Sequence, residues 1–330
     1  MTPTKQFGSA GGRCARGPYW PPDFDSLTHL DCGVMPLTSR RSSTDPWIMR
    51  HTLATYLVLV FAIAWLFWVP LALLYEGRSD LQSLRGSPLV IVLQTLGVTA
   101  PLISAIVVTG RTRGKRGVRR LLGGLKRWRV GPWWYAAACL LIPVLTVLGI
   151  GVRSALGVDP AVPEGSAFAA MLAGIGWIGL VLTFPLLLVL QCFGSPLLEE
   201  PGWRGFALPH VRKRMPAAWA ALLVGAIWGL WHVPLFLALD ENLAISLALI
   251  TMHGFFLGWL YLNTSSLLIA VLGHASLGVA NNSLSLPDQG IVQIVLTLAL
   301  CMLILAFFRV SDLRPRLGST SSRARQRVSE

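Results

Sequence analysis

The sequence predicts an all-α, polytopic membrane protein with about eight transmembrane helices, and three observations carry that prediction. Hydrophobic residues make up 54% of the 330-residue chain and charged residues 13%, about half the share a soluble protein carries. Apolar runs near the ~20 residues that a bilayer core requires recur from Thr52 onward. The 28 Lys and Arg outnumber the 15 Asp and Glu to give a formal charge of +13, and most of the basic residues sit between those runs. Charge so placed orients a membrane protein. No nucleic-acid partner is expected, and Gly-rich pieces such as the GSAGG of residues 8–12 lack the strand and helix context of a phosphate loop.

Residues 1–48 hold Pro, Gly, Ser, Asp and Arg without an apolar run, so they cannot bury enough surface to offset chain entropy and are expected to form a disordered cytoplasmic tail. No signal-peptide pattern opens them, and Met49, just before the first apolar run, is read as the true start. The protein domain is expected over 49–310, with spans at 52–74, 87–109, 132–152, 170–193, 217–238, 244–262, 265–285 and 289–308, followed by a basic cytoplasmic tail over 311–330. Loops on the even side and both ends hold 22 of the 25 Lys and Arg after position 39, and the opposite loops hold Arg78, Arg85 and Arg153. That asymmetry puts both termini on the cytoplasmic side of the plasma membrane. The basic stretch 111–135 reads either as a positive-inside loop or as an amphipathic element on anionic lipid. Cys139, Cys192 and Cys301 lie within apolar runs and should pack as small hydrophobes; with Cys14 and Cys32 they suggest no disulfide framework.

Among the fifteen carboxylates only Glu199 and Glu200 abut a long apolar run without an evident loop, in LLLVLQCFGSPLLEEPGWRGFALP. A solvated helix end would explain them, yet His232, His253 and His274 also stand inside apolar runs. Ionisable groups are costly in a bilayer, so several together suggest one polar site between facing helices. Glu200 and Arg204 are four apart and can pair on a helix, which leaves Glu199 free as a base. Pro201 disfavours the α conformation at Glu200, so a helix is expected to restart at Pro201 with both acids at its N-terminal end. Trp228 lies one turn before His232 and can set a ring against the imidazole, while Gly278 and Asn281 follow His274 on one helical face.

These residues resemble the motifs of the CAAX prenyl protease and bacteriocin-processing (CPBP) family of intramembrane proteases. Glu199, Glu200 and Arg204 match its Glu-Glu-x-x-x-Arg motif, and His232 matches Phe-x-x-x-His with Trp228 in place of Phe. Phe255 and Trp259 fit Phe-x-x-x-Trp, and His274 fits the final His, although Gly278 stands where the family has Asn or a similar residue. The resemblance runs over roughly residues 55–310. It implies an endopeptidase acting on a membrane-associated, in some members prenylated, substrate at the lipid bilayer, with Glu199 activating water. His232 and His274 would position that water or stabilise the tetrahedral oxyanion, and Asn281 would supply the polar contact missing at Gly278. The family name also admits a metalloprotease, for which Glu199, His232 and His274 would be the zinc ligands. No His-Glu-x-x-His pattern is present, however, and a glutamate with two histidines can activate water unaided. His253 belongs to no motif and is read as structural.

Two readings from other classes stand beside this one: a proton-coupled secondary transporter, and a non-catalytic scaffold or immunity protein of the same fold. The transporter would usually show two repeated halves, and none is apparent. One feature resists the straight-helix picture. His232 lies about 22 Å along its span at 1.5 Å per residue, while Glu199 falls near a span end, so one of the two segments must bend or dip for them to meet in a cytoplasm-facing cavity.

Overall fold

A computed structural model of the protein describes residues 48, 51–75, 87–157, 167–238, 242–283 and 290–307. The expected tails, apart from Ile48, lie outside the described residues. What is described is helical, with no strand among the described residues: α1 (Thr52–Tyr75), α2 (Pro88–Val98), α3 (Ala100–Gly123), α4 (Pro132–Ala155), α5 (Ala167–Cys192), α6 (Ser195–Gly202), α7 (Leu208–Arg212), α8 (Ala217–Trp231), α9 (Val233–Ala238), α10 (Leu243–Thr264), α11 (Leu267–Ser283) and α12 (Gly290–Phe307). A five-residue π-helical turn, Trp203–Ala207, joins α6 to α7.

Each of the eight apolar runs is helical over its described residues, but the expected count of eight spans is not confirmed. Among the described residues, four helices are long and apolar enough to cross a bilayer: Thr52–Leu74, Pro88–Lys126, Pro132–Ala155 and Leu243–Thr264. A fifth arises if Val181–Cys192 and Ser195–Arg212, bent by 53° at their junction, form one broken span. The run drawn as one span over 217–238 is divided at His232, because Pro234 brings no N–H and its ring opposes the carbonyl one turn back. α3 continues α2 through Thr99 and bends at Gly114, whose φ of 62° suits glycine. The basic stretch beyond that bend is therefore helical to Gly123 rather than a loop.

α1 shows how the bundle is held. Tyr56, Val60, Ala64, Trp68 and Leu71 recur at helical spacing and are fully buried, whereas Val58, Leu66 and Leu73 on the outer side are equally apolar but exposed. An apolar outer face is what lipid requires. Because lipid is as apolar as the core, specific contacts do the joining. The Trp65 indole donates to the Trp231 carbonyl at 3.1 Å, and Trp231 donates to the Val60 carbonyl at 3.3 Å. Trp68 packs on Trp231 with ring centroids 4.4 Å apart. α8 and α10 approach through glycines: a Cβ on Gly225 would lie 2.5 Å from the Thr251 carbonyl oxygen, and one on Gly254 would collide with the Gly225 Cα. α11 packs against α4, α5 and α6, which brings His274 to the acidic segment. Cys139, Cys192 and Cys301 are free thiols.

Candidate active site

The Glu-bearing segment is a short helix that does not begin where the sequence suggested. It starts at Ser195 with Pro196 in its first turn, so both acids lie in its second turn and Pro201 lies inside it. Pro196 can start a helix because its missing N–H would have had no partner there. Pro201 costs an internal hydrogen bond instead, and the backbone widens directly afterwards into the π-turn Trp203–Ala207. Arg204 falls in this turn and is fully buried, so it is not one of the loop charges that set orientation. Removing one charge leaves that asymmetry intact.

Glu199 is 1% exposed and Glu200 is 0% exposed, and their environments differ. Glu200 Oε1 accepts from Arg204 Nη1 at 2.8 Å and from His274 Nδ1 at 2.8 Å. Arg204 is held in turn by the Gly254 carbonyl, 3.2 Å from Nη2, and its Cζ lies 4.7 Å from the Trp228 ring centroid. Glu199, expected to be free, has Oε2 bound by Trp228 Nε1 at 2.6 Å. Its other oxygen has no hydrogen-bond partner among the described residues.

Trp228 therefore does more than the sequence assigned to it. Its ring meets His232 edge-on at 5.3 Å, as expected, but it also meets His274 at 5.2 Å and donates to Glu199. His232 caps α8, with Nδ1 2.9 Å from the Trp228 carbonyl oxygen and its ring stacked 5.7 Å from Trp68. A carbonyl only accepts, so Nδ1 carries the proton and Nε2 is left as an acceptor; for His274, Nδ1 likewise donates to the carboxylate of Glu200. The 53° bend at residues 193–194 is what lets Glu199 reach Trp228 on α8, although α8 begins where the sequence placed it.

A cavity of about 370 Å³ opens beside these groups, with Gln191, Ser195, Trp228, His232, His253, His274 and Gly278 on its wall. Glu199 is not part of that wall; the Trp228 indole that binds it is. His253, read as structural, faces the same cavity as the other two histidines, and its Nε2 is buried without a partner among the described residues. Gln191 and Gln293 were missed by the sequence reading, and a Gln inside an apolar run was the signal that could have found them. Phe255 is buried in the apolar core, and Trp259 packs on Trp134 at 5.1 Å, away from the cavity. Asn281 lies on the last turns of α11, and its side chain falls outside the described residues. No group of three His, Cys, Asp or Glu is placed to hold a metal among the described residues. The trio Glu199, His232 and His274 is thus not placed as a zinc site, and no step is derived through one.

The helices and this buried carboxylate–histidine cluster define a multi-pass membrane protein with an ionisable site enclosed by its helices. Residues 181–280 match the family described as Type II CAAX prenyl endopeptidase Rce1-like. The chain is 27% identical over 104 residues to "CAAX prenyl protease 2" of Methanococcus maripaludis, an alignment covering 28% of this chain and 38% of that protein. The stretch that carries the site is thus similar to CAAX prenyl endopeptidases, in line with the resemblance of its motifs.

Proposed function

We propose that the protein is an intramembrane endopeptidase in which Glu199 activates water to hydrolyse a peptide bond of a membrane-associated substrate. The observation behind this is the unequal use of two adjacent buried carboxylates. Glu200 is held through Oε1 by the charged Arg204 and by His274, whereas Glu199 is held only by the neutral Trp228 indole; the second oxygen of each is unbonded among the described residues. Such a division separates an orienting acid from a reacting one. Glu199 takes a proton from water as the hydroxyl oxygen adds to the scissile carbonyl, and returns that proton to the leaving nitrogen as the C–N bond breaks. His232, held through Nδ1, accepts from the water at Nε2, and His274, as an imidazolium paired through Nδ1 with Glu200, donates from Nε2 to the carbonyl oxygen at the cavity wall.

A prenylated C-terminal Cys-a-a-X segment is the first substrate class to test, because both the matched family and the Methanococcus protein are named for CAAX substrates. The purified protein in vesicles would be given an internally quenched peptide farnesylated at that cysteine and, separately, an unlipidated peptide tethered by a transmembrane helix. Cleavage by the wild type that is lost in Glu199→Gln supports the reading; failure to cleave either peptide in a Glu199-dependent way overturns it. Turnover is expected to survive dialysis against a chelator.

The same reading places the protein in the plasma membrane with both termini cytoplasmic, supported by the residual Lys and Arg asymmetry. Gly123 is suited to testing it, since a side chain added there meets open space. A single cysteine at 123 should react with an impermeant reagent only after the inner face is opened.

A further inference from the structure

Gly278 lies one helical turn beyond His274, facing the same cavity, and its Cα is covered by a side chain from another helix. A Cβ built on Gly278 would lie 2.5 Å from Gln191 Nε2, 2.8 Å from its Cδ and 2.9 Å from its Cγ. The volume that a residue at 278 would fill is thus already filled by the carboxamide of Gln191. Gln191 is in the last turn of α5, eight residues before Glu199 and just ahead of the bend that turns the acidic helix inward. Its amide lines the cavity with Trp228, His232 and His274, and its side chain makes no hydrogen bond among the described residues.

We propose that Gln191 is a catalytic residue whose Nε2–H donates to the oxyanion of the tetrahedral adduct, and that Gly278 is glycine to admit it. The proposal rests on the endopeptidase reading and deepens it. When hydroxide adds to the peptide carbonyl, the π electrons move to oxygen and leave an alkoxide that needs donors already in place. A neutral carboxamide supplies two N–H groups without adding charge to a site that holds a carboxylate, and Gln is among the side chains that serve as such donors. The imidazole of His274 and the amide over Gly278 then stand on consecutive turns of one helix face, so a carbonyl entering the cavity can meet both. This gives Gln191 the contact that the sequence pointed to at Asn281. It also changes the meaning of the departure at 278: the polar group is not missing but comes from another helix.

The test is an amide transplant, read with the farnesylated or tethered peptide that the wild type cleaves, in vesicles. Gln191→Leu should lower kcat by about 10²- to 10³-fold, the loss typical for one oxyanion donor, with KM changed by less than about threefold. Gly278→Asn alone should also lower kcat, because the two amides compete for one volume. Gln191→Ala combined with Gly278→Asn should recover at least about tenfold over Gln191→Ala, since the donor returns from the other helix. A packing role for Gln191 would not be rescued by an amide from position 278. Thermal unfolding in detergent identifies a variant that loses activity through its fold, and the double variant then decides. A kcat for Gln191→Leu within about threefold of wild type, alongside an inactive Glu199→Gln, overturns this inference and leaves the protease reading standing. So does a double variant no better than Gln191→Ala. A wild type that cleaves neither peptide overturns both.

Discussion

The helices before and after residue 160 are built from the same apolar alphabet and use burial differently. α1 to α4 bury apolar side chains, with Arg153 at the end of α4 their one buried charge among the described residues, and there they bury neither a carboxylate nor a histidine. α5 to α11 bury Glu199, Glu200, Arg204, His253 and His274. In the first region the polar bonds between helices run from indole N–H to backbone carbonyl, such as Trp68 Nε1 to the Gln94 oxygen at 3.2 Å. These satisfy a ring without carrying charge. In the second, ionisable groups join the bonding through Glu199, Glu200, Arg204 and His274, beside neutral bonds such as Ser276 Oγ to the Ala138 carbonyl at 2.8 Å. The difference teaches that the first helices are a wall and a brace, placing Trp68 behind His232, while the later helices hold the ionisable cluster.

That contrast can be sharpened or broken by substitution. The largest effect is expected at Glu199. Glu199→Gln keeps shape and removes the proposed base, so peptide cleavage should fall by about 10²- to 10⁴-fold while the melting profile of the protein in detergent persists. Next is Arg204→Met, which leaves Glu200 buried with only His274. Removing one member of a buried pair costs about 3–5 kcal/mol, so denaturant unfolding should show a loss of that order or no folded protein.

Trp228→Phe restores the residue of the family motif and removes one hydrogen bond to Glu199. A bond to a charged group is worth about 1.5–3 kcal/mol, so stability should drop by that amount, with kcat held within about tenfold. The smallest effect belongs to the wall: Val60→Ala removes two buried methyl groups from α1 and should cost about 1 kcal/mol with unchanged kcat, because lipid already provides apolar surroundings and only packing is lost. A Val60→Ala enzyme that kept its stability but lost turnover would end the division between wall and site.

Most of the site was legible because burial of charge is expensive. Two adjacent acids and an Arg four residues later, inside an apolar chain, imply a paired site wherever they fold, and the Glu200–Arg204 bond at 2.8 Å follows from i, i+4 spacing alone. Trp228 was legible as a ring beside His232 but not as a donor to Glu199, since 29 residues and a bend separate the two. His253 could not be assigned to the cavity because no local rule says which face of α10 meets it.

The sequence by itself determined the helical class, the positions of the eight apolar segments and the ion pair within one turn, because each depends on hydropathy or on spacing of a few residues. It could not determine how many of those segments are long enough to cross a membrane, where the acidic helix begins, or which helix fills the space over Gly278. These depend on proline positions within a packed segment, a 53° bend and the approach of α5 to α11. A glycine reads in the sequence as a missing side chain; only the tertiary structure shows that Gln191, 87 positions earlier, occupies its place. The physical reason is that close packing admits one group per volume, and which helix provides it is decided by contacts far apart along the chain.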